Sequence, residues 1–334
     1  MDQRPPRLAI LLLPKLDHFA RELVAGLPVA TGWEVRGFRL ASVADFRAAL
    51  DWTDRPERDA VWFEFCWPPF PRLIAATAFA GRRVIVRVHR IEAMETDHVA
   101  HTPWHKVSDV VVVSRDMAAR VRQAAPGLDA TTRLHLIHNG LDLERFVPLQ
   151  AWNPYRIGWC GLMTLRKNPT LALHILAELR RLDPRYTLHV CGQGGERLAR
   201  ESFAHLVRRL NLADAVRNDG TLPQSAMPDW HARNGVLLHT SLHESFGYAI
   251  AEAAAAGCDL AVLDHPGADE FWPEEMRFGT VAEAVAMVRA AAPHRWREHV
   301  LRRFALRRQI EATAMLLSGD PPRQQRRGVL AQFA

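Results

Sequence analysis

Residues 243–253 read HESFGYAIAEA, which sets Glu244 and Glu252 eight positions apart around a Phe-Gly turn and an alanine-rich run. Upstream, Arg166 and Lys167 stand directly before Asn168 and Pro169, a pair suited to the cap and first position of a helix. If a helix opens near Ser245, the backbone N–H groups of Ser245, Phe246 and Gly247 lie at its positive end. That is an anion site by geometry and dipole. Eight helical residues span about 12 Å. Glu244 and Glu252 can then reach opposite ends of one ligand whose phosphates sit between them. Each carboxylate would accept hydrogen bonds from paired sugar hydroxyls. Arg166 and Lys167 follow the strand RIGWC (156–160), whose end in a doubly wound sheet faces the same crevice as Glu244, so both cations could neutralise a diphosphate; taken alone they read as two solvated charges.

The elements around these residues alternate. RLAILLL (7–13), WEVRGFRL (33–40), DAVWFEFC (59–66), RVIVRVH (83–89), DVVVV (109–113) and RLHLI (133–137) read as strands. Helical patterns separate them, with Leu16, Phe19, Leu23 and Leu27 on one face, and Ser42 and Ser114 as caps. The stretch 138–154, with a glycine and two prolines, interrupts the rhythm. It restarts with strands at 156–160, 186–192, 214–220, 235–240 and 258–264, and a long last helix near 294–317. Two βα series predict an α/β protein of two Rossmann-like, doubly wound domains facing a cleft. The expected division is 1–150 and 151–320, with the last helix packing back on the first domain and 321–334 a disordered tail.

Composition narrows the function. With 334 residues, 48% hydrophobic and 24% charged, the chain reads as an ordinary globular protein long enough for two domains. Its apolar runs are too short to cross a bilayer, and MDQRPPRLAI lacks a signal peptide's apolar stretch, so a cytoplasmic location is expected. The charge of +6, with arginines gathered at 301–309 and 321–328, suits phosphate-bearing ligands and peripheral contact with anionic lipid at the inner membrane face. Basic and aromatic residues do not interleave as in RNA-binding proteins, which argues against nucleic acid. Cys66, Cys160, Cys191 and Cys258 have no metal-ligand spacing and read as buried free thiols. No Walker A loop, complete dinucleotide fingerprint or D-x-D triplet occurs, so neither metal nor cofactor is expected.

Five segments, HNGLDLERF (138–146), GWCGLMTLRKNPTLALHIL (158–176), LHVCGQGGE (188–196), 219–257 and HPGADEF (265–271), resemble in order the C-terminal half of family 4 retaining glycosyltransferases. The likeness covers roughly 80–275. It implies the GT-B fold, with the nucleotide sugar bound mainly by the second domain. By that resemblance Glu244 faces the donor sugar, and Phe246, Gly247 and Tyr248 offer backbone amides. Glu252 holds the ribose hydroxyls, Lys167 binds the diphosphate, and Thr221 and Leu222 line the base pocket. His89, ending VRVH, contacts the reacting sugar near the acceptor. Arg90 and Glu92 are either acceptor-side groups or a local ion pair. FEFCWPP and VRVHRIEA look most like enzymes that build bacterial surface polysaccharides.

The chain departs from the family in three places. Leu162 stands where an arginine is common, and Arg166 is the candidate to replace its charge. Lys15, Asp17 and His18 occupy the first βα loop in place of a glycine pair, which alters the expected acceptor side. Asp259 replaces a frequent proline. The implied reaction is metal-independent transfer of a sugar from a nucleotide-diphosphate sugar to a glycan, lipid-linked or small-molecule hydroxyl, with retention. His89, Glu244 and Lys167 form its centre. A nucleotide-sugar epimerase of the same fold, and a non-catalytic donor-binding partner subunit, are the alternatives. The double-glutamate signature argues against the first, and retention of His89, Lys167 and Glu244 together against the second.

Overall fold

The computed structural model describes residues 4–319 apart from 15, 17–19, 56, 78, 80, 149–151 and 193. The acceptor-side candidates Lys15, Asp17 and His18, and the arginine-rich tail 321–334, lie outside the described residues. The chain divides into two units between Gly140 and Leu141, and again between Ala305 and Leu306.

The first unit holds six parallel strands, β1 (Arg7–Leu12), β2 (Glu34–Arg39), β3 (Ala60–Phe63), β4 (Arg83–Arg87), β5 (Asp109–Val112) and β6 (Arg133–Leu136). Their order is β2-β1-β3-β4-β5-β6. Strands covered on both faces read as unbroken apolar runs, and AVWF of β3 is buried throughout. Local signals set the helix starts. Ser42 and Asp45 close a reciprocal capping box, and Ser114 Oγ accepts Met117 N–H at 3.1 Å. Leu23 and Leu27 of the helix Arg21–Thr31 pack in one cluster with Leu316 and Leu317 of the helix Leu306–Ser318. Arg83 fastens that helix by donating to the carbonyls of Leu316 and Leu317 at 2.6 and 3.0 Å.

The second unit has its own six parallel strands, β7 (Arg156–Cys160), β8 (Thr187–Cys191), β9 (Val216–Gly220), β10 (Val236–His239), β11 (Asp259–Leu263) and β12 (Arg277–Phe278). Their order is β12-β11-β10-β7-β8-β9. The winding reverses between β7 and β10, which puts the topological switch point of the sheet at the carboxyl ends of those two strands.

Three local expectations are corrected. The last helix is not continuous: Arg297–Phe304 and Leu306–Ser318 meet at Ala305, which bridges Leu141, while Leu141 N–H bonds Phe304 O at 2.8 Å. Val300 and Phe304 therefore face the core of the second unit, and Ile310 packs in the first. Asn168 does not cap by its side chain; it takes a left-handed backbone with φ 48° ahead of Pro169. The helix after the Phe-Gly turn begins at Tyr248, not near Ser245, because Gly247 adopts φ 88° and turns the chain first.

Candidate functional site

The loops leaving β7 and β10 are stapled together. Thr240 Oγ1 donates to Lys167 O at 2.9 Å and itself receives Trp159 Nε1 at 2.9 Å. Leu242 N–H reaches Arg166 O at 2.8 Å. These bonds bring two cations and one carboxylate to one point. Glu244 Oε1 accepts Lys167 Nζ at 2.5 Å and Arg166 Nη1 at 2.9 Å, and Arg166 Nη1 also donates to His243 O at 2.8 Å. The Glu244 side chain is only 12% exposed. Burial would push its carboxyl upward, but the adjacent cations outweigh that and hold it well below the usual carboxylate range.

Beneath it His239 is buried, its Nε2 3.7 Å from Glu244 Oε1. Burial and the Lys167 charge push this imidazole down to about 3. It is neutral near pH 7, so Lys167 and Arg166 supply the positive charge that stabilises Glu244. His243 and His265 are also buried nearby, their rings 6.0 Å apart.

The remaining donor-side candidates sit on the following turn and helix. Phe246 is 1% exposed and meets Phe271, Trp272 and Phe304 at ring distances of 5.3, 6.2 and 5.0 Å. Its ring anchors the turn in the core; Phe246 and Gly247 are buried, and Ser245 and Tyr248 on either side are partly exposed. Glu252 lies on the helix Tyr248–Ala255, with a carboxylate oxygen 3.6 Å from His231 Nε2. Leu222 packs against the same core as Tyr248, and exposed Thr221 precedes it just past β9. Leu162 is exposed, and Arg166 carries a charge close by in the same loop.

A second cluster belongs to the first unit. Glu64 follows β3 and Arg87 ends β4; both are essentially fully buried and bond at 3.0 Å. Trp62 Nε1 donates to the other Glu64 oxygen at 2.9 Å, and Arg87 donates to Asn139 Oδ1. His89 Nε2 lies 2.9 Å from the Glu64 carbonyl and 3.4 Å from its carboxylate, with the ring stacked on Phe65 at 4.4 Å. A carbonyl only accepts, so His89 Nε2 carries a proton. Burial opposes the Glu64 charge, but Arg87 and the His89 and Trp62 hydrogen bonds prevail and lower its pKa. Arg90 and Glu92 do not pair with each other: Arg90 bonds Glu95, while buried Glu92 accepts His89 N–H at 2.6 Å.

Sequence reasoning missed Glu64, Arg87, Asn139 and His239. The first two carried a signal, since each interrupts an apolar strand run with a single charge. A buried charge in such a run needs a partner, and β3 and β4 are neighbours.

Known proteins share a segment and the fold with this chain. Residues 144–275 match the family model described as Glycosyl transferases group 1. A D-inositol 3-phosphate glycosyltransferase of Streptomyces avermitilis is 33% identical over 144 residues, covering 37% of this chain and 31% of that protein. The match thus spans about a third of such curated relatives. Among solved structures, Anabaena HepE in complex with UDP and glucose aligns over 94% of this chain and 100% of its own, with TM-score 0.72 and 16% identity. A sucrose-phosphate synthase from Thermosynechococcus elongatus aligns over 94% and 98%, with TM-score 0.71 and 16% identity. At that identity the likeness establishes the fold, two Rossmann-like units of GT-B type. The segment that matches the family model lies within the second unit.

Proposed function

We propose that the chain is a glycosyltransferase that takes its sugar from a nucleotide-diphosphate sugar. The observation that carries this reading is the Lys167–Glu244–Arg166 cluster, held at the topological switch point directly before the Phe-Gly turn. Both cations contact Glu244 Oε1, so Oε2 is the oxygen assigned to sugar hydroxyls. Lys167 and Arg166 meet the diphosphate, aided by the backbone of Ser245, Phe246, Gly247 and Tyr248. Glu252 takes the ribose, and Thr221 and Leu222 border the base. Solved structures of the same fold were obtained with UDP and UDP-glucose, which makes UDP the first base to try.

In this reading the bond between the anomeric carbon and the phosphate oxygen breaks toward an oxocarbenium-like state. The acceptor hydroxyl attacks from the same face, and its proton passes to the departing diphosphate. The chain supplies orientation and charge stabilisation rather than a covalent nucleophile. His89 is the acceptor-side group of the first unit, with Arg90 as a further candidate. Glu92 faces the His89 backbone and is assigned to orienting it.

The acceptor is a hydroxyl of a glycan, a lipid-linked or a small molecule, within bacterial polysaccharide or glycan synthesis. The curated relatives named for D-inositol 3-phosphate make an inositol phosphate the first small acceptor to test. Among the described residues no helix is long and apolar enough to cross a membrane. Peripheral contact is proposed through the exposed Arg307 and Arg308, and salt-sensitive sedimentation with anionic vesicles tests it.

The deciding experiment titrates UDP, GDP, ADP and TDP against the protein, then follows hydrolysis and transfer with the matching nucleotide sugar. One diphosphate should bind in the micromolar range, and the product should keep the donor's anomeric configuration with or without a chelator. Failure of all four to bind at millimolar concentration would sink the reading. An epimerised nucleotide sugar formed without acceptor would replace it.

A further inference from the structure

Cys160 and Cys191 play no part in the proposed transfer, yet the fold brings them together. β7 and β8 run parallel in an unbroken register of five pairs, and the last pair is Cys160 opposite Cys191. Directly opposed residues of neighbouring strands point to the same face, with backbones about 4.8 Å apart. That separation falls inside the Cα range a disulfide requires, roughly 4.4–6.8 Å. Both side chains pack in one apolar cluster with Leu222 and Met227, and Cys191 Sγ lies 3.8 Å from Met227 Sδ.

The backbones just past the pair cannot separate easily. Gly161 N–H bonds Cys191 O at 3.0 Å, and a Cβ on Gly192 would lie 2.3 Å from Gly161 O. The other cysteines differ. Cys66 lies 3.1 Å from the Thr102 hydroxyl, and Cys258 donates to the His231 carbonyl at 2.8 Å. Both are fully buried, neither faces another thiol, and burial pushes the Cys66 thiol up to about 12. Within the pair, Cys160 is held high by Cys191 and by burial, while Cys191 is lowered by Cys160, which makes Cys191 the readier thiolate. Cys160 is only partly buried and packs in the same cluster as Leu222 and Tyr248, and a Cβ on the adjoining Gly161 would lie 3.3 Å from Lys167 Cε, so the pair sits at the carboxyl ends of β7 and β8 beside the proposed donor site.

We infer that Cys160 and Cys191 are a cross-strand dithiol that a peroxide closes to a disulfide, and that closure weakens binding of the nucleoside diphosphate. One thiolate attacks the peroxide, giving a sulfenic acid and releasing the first water. The second thiol displaces the sulfenic hydroxyl, forming the S–S bond and releasing the second water. Two sulfurs give up two electrons, one hydrogen peroxide takes them, and two waters leave. The effect on binding rests on the donor reading above; the disulfide itself does not.

The test treats the full chain with stoichiometric hydrogen peroxide and digests it without reduction. The expected result is a peptide linking Cys160 to Cys191, about 2 Da lighter than the two free peptides, and loss of two titratable thiols that dithiothreitol restores. Cys66→Ser should behave as the parent, and Cys160→Ser should form no link. In parallel, UDP affinity should fall at least five-fold on oxidation and recover on reduction, and bound UDP should slow closure. Absence of the linked peptide, or sulfinic acid at either cysteine in its place, overturns the dithiol. A linked protein that binds UDP unchanged overturns the coupling to the site. Reduced protein that binds no diphosphate overturns the donor reading and the coupling together, and the mass result alone then decides the dithiol.

Discussion

Lys167 Nζ and Glu244 Oε1 meet at 2.5 Å although 77 positions separate them in the chain. Only the reversal of winding between β7 and β10 makes them neighbours. The same oxygen takes Arg166, so one carboxylate holds two cations in a mostly buried site. In the proposed reading that charge is where the diphosphate binds, and the shared oxygen fixes what removal of each partner does.

Glu244→Ala leaves Lys167 and Arg166 side by side without their counter-charge. Breaking a buried pair in this way is destabilising, and partial exposure reduces the cost to about 1–3 kcal/mol in chemical denaturation. Sugar transfer should fall by about 100-fold or more through loss of donor-sugar positioning. Affinity for the free diphosphate should hold or rise, since both cations are released to it. A variant that transfers sugar at the parent rate would remove Glu244 from the site.

Lys167→Met should weaken diphosphate binding about 10- to 100-fold, equivalent to about 1.4–2.8 kcal/mol. Arg166→Met should do the same to a smaller degree, because its guanidinium also serves the His243 carbonyl. The two effects should not add, since both side chains share Glu244 Oε1. Isothermal titration of both single variants and the double variant checks this. Strict additivity would mean that the cations act separately.

Much of this site was legible in the sequence, and the illegible part has a physical cause. Local signals, such as the Asn168-Pro169 start and the Phe-Gly turn, together with βα alternation, were enough to put Arg166, Lys167 and Glu244 at one crevice. Their pairing with one another was not legible, because it depends on bonds such as Thr240 to Lys167 that span 73 positions. The helix start moved from Ser245 to Tyr248 because Phe246 is drawn into a core completed by Phe271, Trp272 and Phe304. A 3.6-residue period cannot report aromatic partners supplied later in the chain. The break at Ala305 was hidden for the same reason: Val300, Phe304 and Ile310 fit one helical face but serve two cores.

His239 sets an acid limit on stability. Its native pKa is depressed from 6.5 to about 3, so the unfolded chain takes up a proton that the folded chain refuses. Its contribution is complete above pH 6.5 and is lost as pH falls toward 3. Between pH 7 and pH 5 the loss is about 2 kcal/mol. Glu244, also depressed, loses its contribution only as pH falls below the ordinary glutamate range. Urea unfolding at pH 7, 6 and 5 should show this slope in the parent and a flatter one in His239→Gln. Equal slopes would show that His239 is not the titrating group.

Glu64 and Arg87 are tied more tightly still, with neither side chain reaching solvent. Glu64→Ala strands a buried guanidinium and should cost about 3–5 kcal/mol. Glu64→Gln keeps a hydrogen-bond acceptor for Arg87 and should cost less. The Glu64 carbonyl that accepts His89 Nε2 belongs to the backbone and survives either change, so an acceptor-side role for His89 makes a further claim. Glu64→Gln should retain donor hydrolysis while changing the KM for acceptor, through the 3.4 Å contact of its side chain with the imidazole. Equal loss of stability in both variants would contradict the ion-pair account.

Gly247 tests the geometry of the turn itself. Its φ of 88° is costly for any residue with a side chain, and a Cβ there would lie 2.7 Å from Ile250 Cδ1. The Ile250 side-chain end can move, so the backbone term dominates and Gly247→Ala should cost about 1–2 kcal/mol. Because this residue precedes Tyr248 at the helix start, the strain falls on the backbone assigned to the phosphates. Diphosphate affinity should drop by about ten-fold or more, the loss of a well-aligned charge-assisted hydrogen bond. Asn tolerates the left-handed region better than Ala does, so Gly247→Asn should recover part of the stability. Calorimetry of the two variants with and without UDP separates these effects. Unchanged UDP binding in Gly247→Ala, together with the expected loss of stability, would remove the turn from the phosphate site.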